Sequence, residues 1–224
     1  MDRQAGCRVS VGTNHWSVGR SLNPAFLVDG FIYVESPSDF PAAVAGVITL
    51  EAKEYKVLGT VDMTGDRFQT VAGTVITGSS SESSVLKSTG LTGPLFTASE
   101  SFPVRFITLT AAHVLDLDGS TGTSPAFDWL AVNMTDCAKM GTIKDYDNVI
   151  FSDCAFLRSD ELTFDGTIGT IAFGTSLVQG SGAAKSMLIL PATLTVSRRF
   201  RVSDSAIVST GSNTAIEVVD ESAT

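Results

Sequence analysis

Four acidic groups are the part of this chain best placed to do chemistry: Asp116/Asp118, Asp128/Asp136, Asp145/Asp147/Asp153 and Asp160/Glu161/Asp165. Glycoside hydrolysis needs two carboxylates facing each other across a sugar, about 5–10 Å apart. Asp136 and Asp153 each precede a cysteine, Cys137 and Cys154, and sit at comparable places in two successive apolar segments. If those segments stack as neighbouring strands about 4.8 Å apart, the two carboxylates stand on one face, one strand apart. Aspartate at a bend between strands is more commonly a turn former or a solvated side chain, and that reading competes with catalysis at both positions.

Glycan binding is the second chemistry. Sugar rings stack on exposed aromatic faces while their hydroxyls pair with Asp and Asn, and Phe127, Asp128, Trp129 and Asn133 supply both kinds of group within seven residues. The competing reading places Phe127 and Trp129 in the core or at a subunit interface.

Other constellations fall short. Asp116-Leu117-Asp118-Gly119 begins like a calcium loop but lacks the remaining acidic ligands and the terminal Glu, so it reads as a turn. No phosphate-binding glycine loop, zinc spacing or HExxH is present, and no metal or other cofactor is expected. The two histidines, His15 and His113, have no GxSxG nearby, which leaves a serine-hydrolase triad without support. His113 reads as a polar strand residue making a local hydrogen bond. Cys7, Cys137 and Cys154 form no even framework. Cys137 and Cys154 read as small buried groups on neighbouring coils, with a disulfide between them left open.

The elements that must position these residues are short, β-branched and aromatic. WLAVNM, NVIFSDCAFL, IGTIAFGTSLV and MLILPATLTV recur from Trp129 onward at roughly twenty residues, the signature of stacked solenoid coils. Apolar runs begin at Val75, Val104, Trp129, Asn148, Ile168 and Met187, so the earlier coils carry loop insertions and the later ones are nearly bare. The fold expected is all-β: a single-stranded right-handed parallel β-helix. Asp29-Gly30, Asp118-Gly119 and Asp165-Gly166 are hairpin-type dipeptides, and they keep a β-sandwich open as the alternative.

Residues 1–29 show no sustained periodicity and read either as an attachment arm or as a frayed terminus. The β-helix is expected over 30–187, with a C-terminal β segment at 188–224 closing it. Within Ser36-Pro37-Ser38-Asp39-Phe40-Pro41, Ser38 or Asp39 is expected to cap one helical turn, with Pro41 early in it, as a lid over the first coil.

Composition narrows the partners. A net charge of −9 and a single basic cluster, Arg198-Arg199-Phe200-Arg201, argue against nucleic-acid binding. Alternation along a strand puts Arg199 and Arg201 on one face and Arg198 and Phe200 on the other. Only 17% of residues are charged, which points to surface covered by other subunits. No apolar run approaches the roughly twenty residues that cross a bilayer, and the N-terminus lacks the pattern of a secretory signal, so no membrane insertion is expected.

Several phrases carry a resemblance. Ser36-Pro37-Ser38-Asp39-Phe40-Pro41 leading into Val47-Ile48-Thr49-Leu50, then Tyr55 and Gly59-Thr60-Val61-Asp62-Met63, resembles the opening of phage-encoded right-handed β-helix virion proteins. Asp147-Asn148-Val149-Ile150-Phe151, Phe164-Asp165-Gly166-Thr167-Ile168-Gly169-Thr170 and Arg198-Arg199-Phe200-Arg201-Val202 extend the likeness over roughly residues 31–210. The resemblance implies a tail-spike, tail-fibre or head-fibre protein on the virion surface. It implies a homotrimer that joins capsid or tail proteins through residues 1–29 and contacts host surface polysaccharide. Many tail spikes are much longer and carry a carbohydrate-cleaving domain; a chain this short favours a non-enzymatic fibre or a small adhesin, with a polysaccharide-degrading enzyme as the alternative.

Overall fold

The computed structural model describes residues 31–218. Residues 1–30, which include the arm at 1–29 with Cys7 and His15 and the Asp29-Gly30 dipeptide, lie outside the described residues, as do 219–224.

Alternating strands wind into a coil with three flat faces. Face 1 is built from β1 (Phe31–Val34), β3 (Glu54–Val57), β6 (Val75–Gly78), β9 (Val104–Thr110), β11 (Ala126–Thr135), β13 (Asn148–Ser152), β16 (Thr167–Gly174) and β19 (Thr195–Ser203). Face 2 holds β4 (Thr60–Asp62), β7 (Val85–Lys87), the second halves of β9 and β11, β14 (Ala155–Leu157), β17 (Leu177–Gln179) and β20 (Ala206–Val208). Face 3 holds β2 (Val47–Thr49), β5 (Arg67–Gln69), β8 (Phe96–Ala98), β10 (His113–Asp118), β12 (Lys139–Lys144), β15 (Leu162–Asp165), β18 (Ser186–Leu190) and β21 (Thr214–Val218).

Each strand pairs in parallel with its counterpart in the next coil. The one antiparallel contact among the described residues is the isolated Val44–Val47 bridge. A sandwich of hairpins needs antiparallel ladders, so the sandwich alternative is excluded and the chain is a β-solenoid of about seven turns.

Register differs from the apolar spacing. Ala126 lies beside Asn148, and Asn148 beside Thr170, giving 22 residues per turn. The roughly twenty-residue interval compared non-equivalent positions: Trp129, Asn148 and Ile168 lie at different places along their face 1 strands, and Met187 lies on face 3. The long early turn lies where the apolar spacing put it, 28 residues from Ile76 to Val104, but the later coils are not all bare: the turn from Thr170 to Arg199 takes 29. The boundary drawn at 187/188 falls inside β18. Beyond it β19, β20 and β21 stack on β16, β17 and β18 as one more coil.

Inward positions stack into columns that fill the interior. Trp129, Phe151, Phe173 and Val202 form one, and Phe127, Val149, Ile171 and Phe200 the next. Phe151 and Phe173 are stacked at 4.9 Å with 15° between ring planes. Burying such rings removes apolar area from water at about 25 cal/mol per Å², the main force holding the coils together.

The N-terminal end is closed by a 3-10 turn at Pro37–Asp39. Its N-cap is Ser36, and Pro37, not Pro41, occupies the first turn, where its fixed φ suits the helix and its missing N–H is not needed. The Asp39 carboxylate accepts from the backbone N–H groups of Glu35 (3.0 Å) and Ser36 (2.8 Å). Phe40 then lays its ring against Tyr55 and Phe68, with centroids 5.5 and 4.8 Å away, covering the interior of the first coil.

Corners are set by backbone geometry. Between faces 1 and 2, Phe106, Ala131, Asp153, Thr175 and Asp204 stack with φ between 50° and 55°. Left-handed backbone costs an L residue roughly 1–2 kcal/mol, so its recurrence in non-glycine residues shows the ladders on both sides imposing the bend.

Just past this corner, small side chains turn inward. Ser205 Oγ accepts from Ser176 N–H at 2.9 Å and donates to Ser203 O at 2.8 Å. Ser176 Oγ accepts from Cys154 N–H at 3.1 Å and donates to Gly174 O at 2.9 Å. Cys154 continues the ladder, its Sγ 3.4 Å from Ser152 O. Cys137 plays the same part at the corner between faces 2 and 3, its N–H donating to Ser159 Oγ at 3.3 Å. The two cysteines are therefore at different corners, each beside a serine one turn on, and both are free and buried. Burial pushes the Cys154 thiol up to about 12 and raises that of Cys137. In a Cys7→Ser background, neither thiol should react appreciably with an aromatic disulfide reagent at pH 8 until denaturant is added. Rapid labelling of the native protein would show that these corners open.

Candidate functional site

The register decides which candidate residues meet. Phe127 and Trp129 are 0% exposed inside the coil, packed on each other at 4.7 Å and on Phe151. Neither ring has a face open to a sugar, and the core reading describes both. Trp129 Nε1 is buried without a hydrogen-bond partner among the described residues. Asp128 points outward on face 1, whereas Asn133 follows the corner at Ala131 and points outward on face 2. The four residues named for glycan contact therefore form no common surface.

Asp136 and Asp153 are separated in the same way. Their 17-residue spacing is shorter than the 22-residue turn, so they fall at different corners of the coil and not one strand apart on one face. Asp136 stands beside Arg158 of the next coil, which donates from Nε (2.5 Å) and Nη2 (2.8 Å) to its two carboxylate oxygens. Those bonds hold its carboxyl below the usual carboxylate range, the wrong direction for a proton donor. Asp153 lies at the corner between faces 1 and 2, its N–H bonded to Gly174 O at 2.9 Å.

The remaining acidic residues tie coils together. Asp118 caps a 3-10 turn at Gly119–Thr121 by accepting from Ser120 N–H at 3.0 Å, which is the turn expected there. Hydrogen bonds from Ser120 keep its carboxyl below the ordinary value. Asp116 Oδ1 accepts from His113 Nε2 at 3.0 Å, the local contact read for that histidine. Asp145 Oδ1 accepts from Thr167 N–H at 2.7 Å, and Asp165 Oδ1 from Thr193 Oγ at 2.5 Å.

Two longer ties bind the last coil. Arg198 sits opposite Gly169 at a register shift in β19 and reaches Asp147 Oδ1 at 2.6 Å. Asn213 reaches past Gly180, where a Cβ would lie 2.6 Å from its side-chain amide, and donates to the buried Asp160 at 2.8 Å. Asp160 also accepts from Ser181 N–H at 3.1 Å and from the Ser181 hydroxyl. Arg199 and Arg201 project outward from β19 while Phe200 stacks inward on Ile171, as strand alternation requires.

Shallow depressions lie along the corners and on face 3. One of about 310 Å³ on face 3 is lined by Gln69, Thr97, Ser99, Asp116 and Asp118. A larger groove, about 580 Å³, follows the corner between faces 1 and 2 past Asp153, Ala155, Leu177, Asp204 and Ala206. Sequence spacing missed this groove because its members align only at the true turn length. Among the described residues no cluster of three or more His, Cys, Asp or Glu is arranged to hold a metal ion, and no helix is long and apolar enough to cross a membrane.

No protein-family model, curated protein or solved structure matches the chain.

Proposed function

We propose that the chain is a structural protein of a bacteriophage particle, a trimeric β-helical fibre or spike on the head or tail surface that contacts the host. The observation that carries this reading is the uninterrupted parallel stack. About seven coils at roughly 4.8 Å each make a rod some 34 Å long, with flat sides suited to lying against copies of itself and an interior column of aromatic residues that resists bending. The resemblance of several phrases to phage β-helix proteins supplies the setting, and low overall charge supports coverage of one side by other subunits. The carboxylates work as rung ties and caps, which supports a role in scaffolding over one in sugar cleavage.

Light scattering behind a sizing column tests the assembly: the expected mass is three times the 23.5 kDa chain. Antibody raised against the protein should label projecting appendages on particles made with this gene. A monomer at all concentrations, or particles without label, would overturn the reading.

A further inference from the structure

The three faces differ in charge. Face 3 presents Asp116, Asp118, Lys139, Lys144 and Asp165 outward, and face 1 presents Arg105, Asp128, Arg199 and Arg201. On face 2 no outward position from β9 to β20 carries a charge. The later strands there show Ala155, Leu157, Leu177 and Val208 instead. Charge-depleted, partly apolar surface is what the centre of a subunit interface requires.

The edges of that strip do carry charge. On one coil, Asp153 stands at the corner where β14 begins and Arg158 at the corner where it ends, both exposed and both with left-handed backbone (φ 53° and 51°). Arg158 holds Asp136 in its own chain, while the Asp153 carboxylate has no hydrogen-bond or ion-pair partner among the described residues. Three flat faces turned toward a common axis touch along their edges. With coils level, the corner before β14 in one copy then meets the corner after β14 in the next. An unpaired carboxylate and a guanidinium on the same coil thus come together at every contact around the ring.

We propose that face 2 is the surface through which copies of this chain associate, in parallel around a rotation axis, with Asp153 of each copy pairing with Arg158 of the next. The proposal rests on the trimeric reading above and names its surface and register. Arg158 would then be shared between Asp136 of its own chain and Asp153 of its neighbour, and Leu157, Leu177 and Val208 would line the axis.

Sedimentation equilibrium of the full chain tests it, with far-UV circular dichroism and melting temperature followed for every variant. Asp153→Arg and Arg158→Asp should each raise the dissociation constant about tenfold or more by setting like charges against each other at each contact. The double exchange, Asp153→Arg with Arg158→Asp, made in an Asp136→Asn background so that the new carboxylate does not face Asp136 of its own chain, restores opposite charges between copies and should recover assembly to within about threefold. That recovery separates pairing between copies from damage to the fold. Leu177→Arg, which leaves both members of the ion pair in place, should also dissociate the assembly while leaving the melting of the coil intact. A trimer indifferent to all four variants, or a double exchange no better than the worse single change, overturns the assignment of face 2 and leaves the trimer standing. A wild-type monomer overturns both.

Discussion

Replacing Phe151 by Ala should lower the free energy of unfolding by about 3–5 kcal/mol, the range for emptying a buried aromatic site. Phe151 is 0% exposed and touches rings on every side: Phe127 and Trp129 in the coil before it, Phe156 in its own coil and Phe173 in the next. In a solenoid each coil is held by its neighbours, so a cavity here weakens two interfaces at once. Neighbouring side chains are fixed by continuous backbone ladders and have little freedom to collapse into the space. Denaturant unfolding followed by circular dichroism measures the loss, with Asp128→Asn, an exposed neighbour in β11, as a control expected to change stability by less than about 0.5 kcal/mol. A loss below about 1 kcal/mol for Phe151→Ala would mean that the aromatic column does not carry the fold.

Gly141→Ala should be more damaging still, about 4 kcal/mol or more, or enough to prevent folding. Gly141 lies in an interior column of face 3 otherwise occupied by Phe68, Phe96, Leu115, Leu162 and Leu188. Its position suggests that a larger apolar residue would fill a gap. The backbone says the opposite: φ is 125°, in a region L residues rarely enter, and a Cβ built there overlaps the Leu115 carbonyl oxygen. That carbonyl belongs to the strand directly beside β12, so relief of the overlap requires two ladders to part. Gly174→Ala is the matched control, since its φ is not positive and the nearest atom to its Cβ would be 4.0 Å away. It should fold and melt like the parent. Equal melting of Gly141→Ala and Gly174→Ala would refute the backbone argument.

Legibility from sequence tracked the distance over which each feature is determined. The turn near Ser38 was readable because Ser, Pro and Asp act on their own neighbours. The assignment of its cap slipped by two or three residues, to Ser36, because Asp39 satisfies amides behind it. Alternation in β19 set Arg199 and Arg201 on the face opposite Phe200 for the same local reason. The glycan candidates failed where burial mattered. Aromatic residues beside Asp and Asn look alike whether the ring fills the core or meets solvent, and alternation puts Phe127 and Trp129 on the inner side. The exposed, left-handed Phe106, which tertiary contacts place at a corner, gave no local sign of either property.

Strand alternation, the recurrence of short β-branched segments and the scarcity of charge are properties of the sequence alone; they determined an all-β chain and pointed to a stacked coil, while the parallel ladders excluded the sandwich. The tertiary structure decided the length of each turn, 22 residues from β11 to β13 to β16 and 28 or 29 where segments are inserted, and with it the relations between coils. It set Asp136 against Arg158, sent Cys137 and Cys154 to separate corners beside serines, and left Asp153 unpaired among the described residues at the edge of the uncharged stretch of face 2. The physical reason is that alternation has a period of two and repeats in any coil length. Register across coils follows only from where left-handed corners, close-approach glycines and interior side chains fit together.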